Sequence, residues 1–244
     1  MGYLGLVSVS FRELSPKDII KITKNAGLDA VEWGGDIHVP AGDTFVADEV
    51  GRLTREVGLS VAEYGSYYRA GVSSPEDIDA VVASARALGT NTVRFWAYNK
   101  SSLEVTESEY ERVVCDITRI CRAYPDICFC TECHNSTLTD DYRANLQILR
   151  DVDRPNLAAF WQPNQYKSFE YNLESARALS PYIKAAHVFA WEGDDRLPLS
   201  AHKDRWIEYL RAFEGREVDL MLEFMHDNSP ASLSDAARSL FEMI

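Results

Sequence analysis

Apolar residues along this chain follow two alternating patterns, short runs typical of buried strands and longer stretches with helical spacing. The short runs predict strands near residues 3–9, 29–33, 59–65, 91–96, 126–132, 157–162, 182–189 and 218–224, each followed by a helical stretch. The helix after Thr106 is the clearest, because the capping sequence TESE precedes one apolar stripe. That stripe comprises Tyr110, Val113, Val114, Ile117, Ile120, Cys121 and Tyr124.

Two segments share one formula for beginning and ending a helix. Ser15 and Ser74 are each followed by proline, and both are predicted to cap helices that stop at Gly27 and Gly89. Their spacing equals two periods of about 30 residues, the size of one strand with its crossover helix. Eight such units predict a (β/α)8 TIM barrel forming one domain over residues 1–244. A doubly wound sheet usually has fewer strands, and a dinucleotide-binding one would carry a glycine-rich first turn that is missing here.

Composition narrows the class of protein. The 244 residues are 46% hydrophobic, which excludes a disordered chain, and the net charge of −13 argues against nucleic acid or anionic membranes as partners. No apolar run reaches the roughly 18 residues of a membrane span. Five cysteines, with no signal-like leader, predict a reducing, cytoplasmic location. A homo-oligomer is compatible with the sequence.

Polar side chains occur at the carboxyl ends of most predicted strands, where the active sites of such barrels lie. Because these ends converge on one mouth, we expect the side chains to form one site. They are Glu32, Tyr64, Arg94, Trp96, Glu132, His134, Gln162, His187 and Glu223.

Four of these residues predict a metal site. Glu132, His187 and Glu223 offer oxygen and nitrogen donors, and Gln162 adds a neutral carbonyl oxygen. Mn²⁺ is the expected cation, and Co²⁺, Mg²⁺ and Zn²⁺ also suit such donors. Taken singly, each residue is better explained as a solvated rim carboxylate or a buried structural histidine. The hypothesis therefore depends on all four meeting.

The segment CFCTECH has the residue types of a zinc site but not the geometry. Alternation along a strand puts Cys133 on the face opposite Cys128 and Cys130, so three thiolates cannot hold one ion. We expect these cysteines to be small buried side chains with no catalytic role.

Seven segments of the chain resemble the xylose isomerase-like TIM-barrel superfamily, specifically its sugar phosphate isomerase and epimerase branch. They are VEWGGDIHVP, YGSYYRAG, TVRFWA, TECHNSTLTD, FWQPNQ, AAHVFAW and LEFMHDNSP. The resemblance implies a divalent metal held by Glu, Asp, His and Glu from the last four strands, with the two glutamates as acid and base. Glu132, His187 and Glu223 match three of those ligands.

The chain departs from this family at two positions. Gln162 stands where the family usually has Asp, and Gln165 stands where many epimerases have His. An amide in place of a carboxylate removes one negative charge from the ligand set. We therefore expect weaker metal binding and a more Lewis-acidic cation.

The expected activity is that of a divalent-metal-dependent isomerase or epimerase of a sugar or sugar derivative. Glu132 and Glu223 would remove and return a proton next to a carbonyl group, while the metal stabilises the enediolate. The sequence leaves open which glutamate is the acid. Two alternatives are a lyase or dehydratase acting on a keto-sugar or glycoside, and a non-catalytic sugar-binding barrel that has lost its metal.

Further polar and aromatic residues are predicted to bind the carbohydrate. Arg94 would pair with Glu32 or contact an anionic ligand, because an unpaired buried arginine is costly. His134 would orient Glu132, bind a hydroxyl group or lie in a surface loop. No glycine-rich phosphate loop is present, which favours an unphosphorylated substrate. The predicted substrate-binding set is Glu32, His38, Tyr64, Arg94, Trp96, His134, Gln165, Trp191 and Arg196.

Overall fold

Eight parallel strands form a closed barrel in the computed structural model, which describes residues 2–244. The barrel strands are β1 (Leu4–Val7), β2 (Ala30–Gly34), β3 (Ser60–Ala70), β4 (Thr92–Ala97), β5 (Cys128–Glu132), β6 (Leu157–Trp161), β7 (Ile183–Val188) and β10 (Asp219–Leu222). Each strand pairs with its neighbour in chain order, and β10 closes the barrel against β1 with Leu4 beside Leu220. The predicted (β/α)8 architecture is confirmed.

A helix follows each barrel strand and covers its outer face. The helices are α1 (Pro16–Asn25), α2 (Thr44–Glu56), α3 (Asp77–Leu88), α4 (Glu107–Ala123), α5 (Tyr142–Val152), α6 (Phe169–Leu179), α7 (Lys203–Ala212) and α8 (Pro230–Phe241). Between β7 and α7 the chain adds a short hairpin of β8 (Trp191–Glu192) and β9 (Asp195–Arg196). This hairpin stands at the mouth of the barrel.

Local sequence signals explain most helix ends. Ser15 caps α1 by accepting a hydrogen bond from the Asp18 backbone, and Thr106 forms the predicted capping box with Glu109 at the start of α4. The prediction for α3 was wrong in detail. That helix begins at Asp77 and has no side-chain cap, because the Ser74 backbone N–H instead donates to the Asp77 carboxylate in a preceding turn.

The apolar core lies between the barrel and the helices. Trp161 on β6 packs against Trp206 and Tyr209 on α7, with ring centroids 5.8 and 5.0 Å apart. Inside the barrel a smaller cluster contains Cys130 and Phe160. No helix within residues 2–244 is both long and apolar enough to cross a membrane.

The cysteines occupy the positions expected from strand alternation. Cys128 and Cys130 share one face of β5, with their sulfur atoms 3.9 Å apart. Cys133 lies elsewhere and accepts a hydrogen bond from Asn145 Nδ2 at 3.2 Å. The three thiols therefore do not meet around one point.

Candidate active site

A buried chain of charged side chains crosses the mouth of the barrel. Arg94 on β4 donates from Nε to Glu32 Oε1 at 2.9 Å and from Nη1 to Glu132 Oε2 at 2.5 Å. Trp96 Nε1 donates to the same oxygen of Glu132 at 2.5 Å. All three charged side chains are almost completely inaccessible to solvent. Their burial is tolerable because each charge faces an opposite one.

His187 on β7 extends this chain to the other side of the barrel. Its Nε2 lies 2.8 Å from Glu32 Oε2 and its Nδ1 lies 2.9 Å from Gln162 Oε1. Nδ1 also faces Glu132 Oε1 at 3.6 Å and Glu223 Oε2 at 3.5 Å. The structure thus brings together the four predicted metal-binding side chains around one ring nitrogen.

The neighbours of His187 determine its charge. Burial alone would lower its pKa, but the carboxylates of Glu223, Glu32 and Glu132 raise the pKa well above the ordinary histidine value. Acceptors at both ring nitrogens favour the protonated form of His187, and a metal ion on Nδ1 would displace one of these protons.

The two predicted catalytic glutamates differ in their surroundings. Burial favours the neutral form of Glu132, yet Arg94 and His187 outweigh it and hold the pKa of Glu132 far below its usual range. Burial raises the pKa of Glu223, and repulsion from Glu132 and Glu32 adds to the rise. Within residues 2–244 the Glu223 carboxylate accepts no hydrogen bond. Glu132 is therefore a fixed anion, whereas Glu223 is free to exchange a proton.

The backbone beside Glu223 is strained and firmly held. Phe224 has a φ of 42°, in the left-handed region that a bulky residue rarely adopts. Its N–H donates to Ser10 Oγ at 2.9 Å, and its carbonyl accepts from Trp191 Nε1 at 3.3 Å. Such strain persists where surrounding contacts fix it, so these two residues keep Glu223 in position.

The donor types, two carboxylates, an imidazole and an amide oxygen, are those that divalent cations bind. Within residues 2–244 no three His, Cys, Asp or Glu side chains are arranged as a ready metal position, and a glutamine supplies one of the donors. Metal bonds of about 2.1 Å place neighbouring ligand atoms about 3 Å apart, and the oxygens lie 2.9 to 3.6 Å from Nδ1. Glu32 on Nε2 would orient the imidazole, as carboxylates do for metal-bound histidines.

A cavity of about 300 Å³ opens above this cluster. Glu132, Gln162 and Glu223 form its floor beside Arg94. Five predicted substrate-binding residues line it, and they are Arg94, Trp96, His134, Gln165 and Trp191. We refer to this space as the central cavity.

Four other predicted substrate-binding residues lie outside the lining of the central cavity. Glu32 lies beneath it within the ion cluster. His38 is buried against Ser8 Oγ and the Leu14 carbonyl, and the Tyr64 hydroxyl donates to the Val39 carbonyl at 2.8 Å. Arg196 is exposed on the hairpin, with its guanidinium 4.8 Å from the ring centroids of both Trp191 and Phe224.

The sequence reasoning missed several residues of the site. Arg12, Tyr67, Phe189 and Phe224 line the central cavity, although they belong to loops or to the extension of β3 beyond the barrel. Glu63 on β3, rather than Tyr64, enters the barrel interior, because the pairing of β2 with β3 shifts register between Val31 and Glu32. Its acidic character in a strand of small and apolar residues was the available signal.

Gly65 makes room for the ion cluster. A Cβ atom at this position would lie 2.5 Å from Glu32 Oε1 and 2.6 Å from an Arg94 nitrogen. Both distances are shorter than real Cβ contacts, so any side chain at this position would force the ends of Glu32 and Arg94 to shift.

Comparison with known proteins gives a partial sequence relative. No protein-family model matches the chain. The chain is similar to a 3-dehydroshikimate dehydratase of Bacillus anthracis, with 28% identity over 115 residues. That match covers 46% of this chain and 41% of the relative, so it spans about two fifths of the relative's length.

Solved structures match over the whole chain. The probable 3-DHS dehydratase AsbF from Bacillus anthracis aligns with a TM-score of 0.80 and 21% identity over 99% of both chains. D-psicose 3-epimerase from Clostridium cellulolyticum H10 aligns with a TM-score of 0.71 and 14% identity, over 99% of this chain and 98% of that one.

A third solved structure was obtained with a metal ion. A xylose isomerase-like TIM-barrel protein from Mycobacterium smegmatis, in complex with magnesium, aligns with a TM-score of 0.72 and 10% identity. The alignment covers 100% of this chain and 96% of that one. The closed parallel barrel and these whole-chain alignments agree that this chain has the fold of the xylose isomerase-like TIM-barrel proteins.

Proposed function

We propose that this protein is a lyase that acts on a small, hydroxylated keto compound. It removes a proton from the carbon next to the carbonyl group and expels an oxygen substituent from the neighbouring carbon. When that substituent is a hydroxyl group, the reaction is a dehydration. The partial likeness to a 3-dehydroshikimate dehydratase supports this choice among reactions that begin with the same proton abstraction.

One observation carries the proposal. Glu223 borders the central cavity and accepts no hydrogen bond within residues 2–244, whereas Arg94 and Trp96 both bind Glu132 Oε2. A carboxylate committed to two donors is a weak base, and an uncommitted one can take a proton. The site therefore offers one acid–base group that is not engaged by hydrogen-bond donors of the protein within residues 2–244, and one such group is sufficient for elimination.

The chain's own residues account for the proton transfers. Glu223 takes the proton next to the carbonyl, the carbon–carbon double bond forms, and the bond to the oxygen substituent breaks with its electrons on oxygen. Glu223 then returns the proton to that oxygen, which leaves as water or an alcohol. Arg94 keeps Glu132 ionised throughout.

We also propose that Glu132, Gln162, His187 and Glu223 hold a divalent cation. When bound, the cation supplies positive charge to the oxygens beside the reacting carbon. The convergence of three oxygens on His187 Nδ1 supports this assignment. Measuring Mn²⁺ and Mg²⁺ binding calorimetrically, with His187→Ala as a control, tests it. Equal binding by the variant would contradict the assignment.

A second candidate reaction is the epimerisation or isomerisation expected from the sequence. It is favoured by the similar distances of the Glu132 and Glu223 oxygens from His187 Nδ1, 3.6 and 3.5 Å. Two carboxylates around one substrate can exchange protons at two faces.

One incubation separates the two reactions. The protein is mixed in deuterated water with Mn²⁺ or Mg²⁺ and either 3-dehydroshikimate or a panel of ketohexoses. Elimination yields a product lighter by one water molecule, and from 3-dehydroshikimate an aromatic acid with new ultraviolet absorbance. Epimerisation incorporates deuterium without loss of water. Epimerisation alone would refute the lyase proposal, and no change in either substrate class would refute both.

A further inference from the structure

A second cavity adjoins the central cavity and has no role in the proton transfers described above. It has a volume of about 370 Å³ and lies between the loop after β6 and the β8–β9 hairpin. Gln165, Phe189 and Trp191 line both cavities. We call this second space the side cleft.

The walls of the side cleft are rich in aromatic side chains. Phe169 and Trp191 are partly exposed and Tyr166 is exposed, whereas Tyr209, whose ring centroid lies 5.6 Å from that of Phe169, is buried behind it. Trp191 lines both cavities. Such surfaces favour flat rings, which gain both apolar contact and stacking. A volume above about 300 Å³ also lies in the range of ordinary ligand sites.

Polar groups around the cleft are fixed in place. His202 Nε2 lies 3.2 Å from Glu192 Oε1, and Arg205 contacts both residues at 3.1 Å. Tyr166 donates to Asp194 at 2.5 Å, and the Gly193 N–H donates to the Gln165 carbonyl at 3.1 Å. These last two bonds join the loop to the hairpin, so the cleft has walls on both sides without a ligand.

We propose that the side cleft is a subsite for a six-membered ring joined through oxygen to the reacting part of the substrate. This inference rests on the proposed function, since it assumes that the reacting part lies beside Glu223. The substrate is then a two-ring keto-glycoside or ether, and the group expelled is a ring-bearing alcohol. The bond between the reacting part and the linking oxygen breaks with its electrons on the linking oxygen. The proton from Glu223 converts that oxygen to the hydroxyl group of the departing ring.

Lys167 offers a way to block the cleft without touching the cluster at the mouth. It is exposed, it lines the side cleft, and it does not line the central cavity. The Lys167 amine lies 5.6 Å from the ring centroid of Tyr171, which does not line the cleft. Lys167→Trp would enlarge the side chain at this edge of the cleft, while Lys167→Ala would remove the same amine. The pair separates filling of the cleft from loss of a charge.

Calorimetric titration of the metal-loaded protein with three probes tests the inference. The probes are methyl β-D-glucoside, phenyl β-D-glucoside and cellobiose. Burial of one additional ring predicts that phenyl glucoside or cellobiose binds about 10- to 100-fold more tightly than methyl glucoside. Lys167→Trp, at the edge of the cleft, is expected to weaken that preference, and Lys167→Ala to keep it within about threefold.

Each outcome has one meaning. A preference for the phenyl or the disaccharide probe identifies the ring as aromatic or sugar, and both support the subsite. Equal affinities for all three probes would overturn it. Elimination from a single-ring keto substrate should proceed unchanged in Lys167→Trp, so loss of the ring preference and failure of the proposed chemistry are distinguishable.

Discussion

The barrel interior contains two buried acidic regions, one in which the carboxylates are paired with cations and one in which a carboxyl group is not. At the mouth, Glu32 and Glu132 are bound by Arg94, and His187 adds a second cation. Deeper in the barrel, Glu63 is completely buried and neither of its oxygens has a hydrogen-bond partner. Nearby Asp219 forms an ion pair with Lys184, with Nζ and Oδ2 2.5 Å apart.

The difference shows how each region meets the cost of burying a carboxyl group. At the mouth, cations keep Glu32 and Glu132 ionised at pKa values below the ordinary range despite burial. In the deeper region, burial raises the pKa of Glu63 well above its usual value, and the charges of Asp219 and Glu32 raise it further. The surroundings therefore favour ionised carboxylates at the mouth and a protonated carboxyl group in the deeper region.

The largest effect is expected from Arg94→Met, which breaks the mouth cluster. Glu32 and Glu132 would be left as buried charges without their shared cation, at a cost of about 3–5 kcal/mol of unfolding free energy. Arg86→Met is the control, because Arg86 pairs with Asp126 at the exposed surface and should contribute less than about 1 kcal/mol. Urea unfolding measures both variants. Similar losses of unfolding free energy in the two variants would mean that Glu32 and Glu132 do not depend on Arg94 for their burial.

Glu223→Gln tests the free carboxylate of the mouth. We expect kcat/KM for elimination to fall about 10³-fold, which corresponds to about 4 kcal/mol, because amides do not exchange protons at neutral pH. The same change removes the Glu223 charge that faces His187 Nδ1 at 3.5 Å, so urea unfolding is measured beside turnover to separate loss of activity from loss of stability. Exposed Glu214→Gln serves as the control. Retention of near-normal turnover would remove Glu223 from the mechanism.

Glu32→Gln tests whether Glu32 orients the imidazole of His187 for metal binding. The amide keeps an oxygen acceptor for the imidazole but loses the charge, so metal affinity should fall about 10- to 100-fold. Glu192→Gln is a matched control, because Glu192 also contacts a histidine, His202, outside the mouth cluster. Competition with a chromogenic chelator reports the affinities. Identical values for the two variants would argue against a supporting role for Glu32.

The effect of Glu63→Gln in the deeper region is expected to depend on pH. Because the folded-state pKa of Glu63 lies above the unfolded value near 4.5, the folded protein binds more protons and loses stability as pH rises above that value. The loss amounts to at most about 1.4 kcal/mol per pH unit until the folded-state pKa is reached. Glutamine does not ionise, so the variant lacks this loss. Its stability relative to the parent protein should therefore increase as the pH rises from 5 to 8.

The matching control is Glu49→Gln, since Glu49 is exposed on α2. Unfolding by urea at several pH values compares both variants with the parent protein. A Glu63→Gln protein whose stability follows the same pH profile as the parent would show that Glu63 is already ionised.

Sequence alone predicted the barrel because its signals are local. Apolar runs, the Thr106 capping box and the glycines after helices lie within a few residues of the structures they specify. The same alternation placed Glu132 and His187 correctly on inward positions. It failed at Tyr64, because the register shift in β2–β3 pairing reverses which residue faces the interior. Such a shift depends on contacts between strands and leaves no local pattern.

The chemistry of the site was predicted in composition but not in detail. Residue types at strand ends left Arg94 either to pair with Glu32 or to contact an anionic ligand, and the structure has the pair, with a hydrogen bond of 2.9 Å. The unequal surroundings of Glu132 and Glu223 depend on which carboxylate Arg94 reaches, and that is decided by side-chain geometry across the barrel. The side cleft arises from two loops that pack together only in the folded chain.

Glycine at position 65 is a sequence feature that accompanies the Arg94–Glu32 pair. The absence of a side chain there is what admits the Arg94 guanidinium beside Glu32. An evolutionary relative with alanine or a larger residue at the corresponding position is expected to have an altered contact between the residues that correspond to Arg94 and Glu32. The three positions are therefore expected to vary together through evolution.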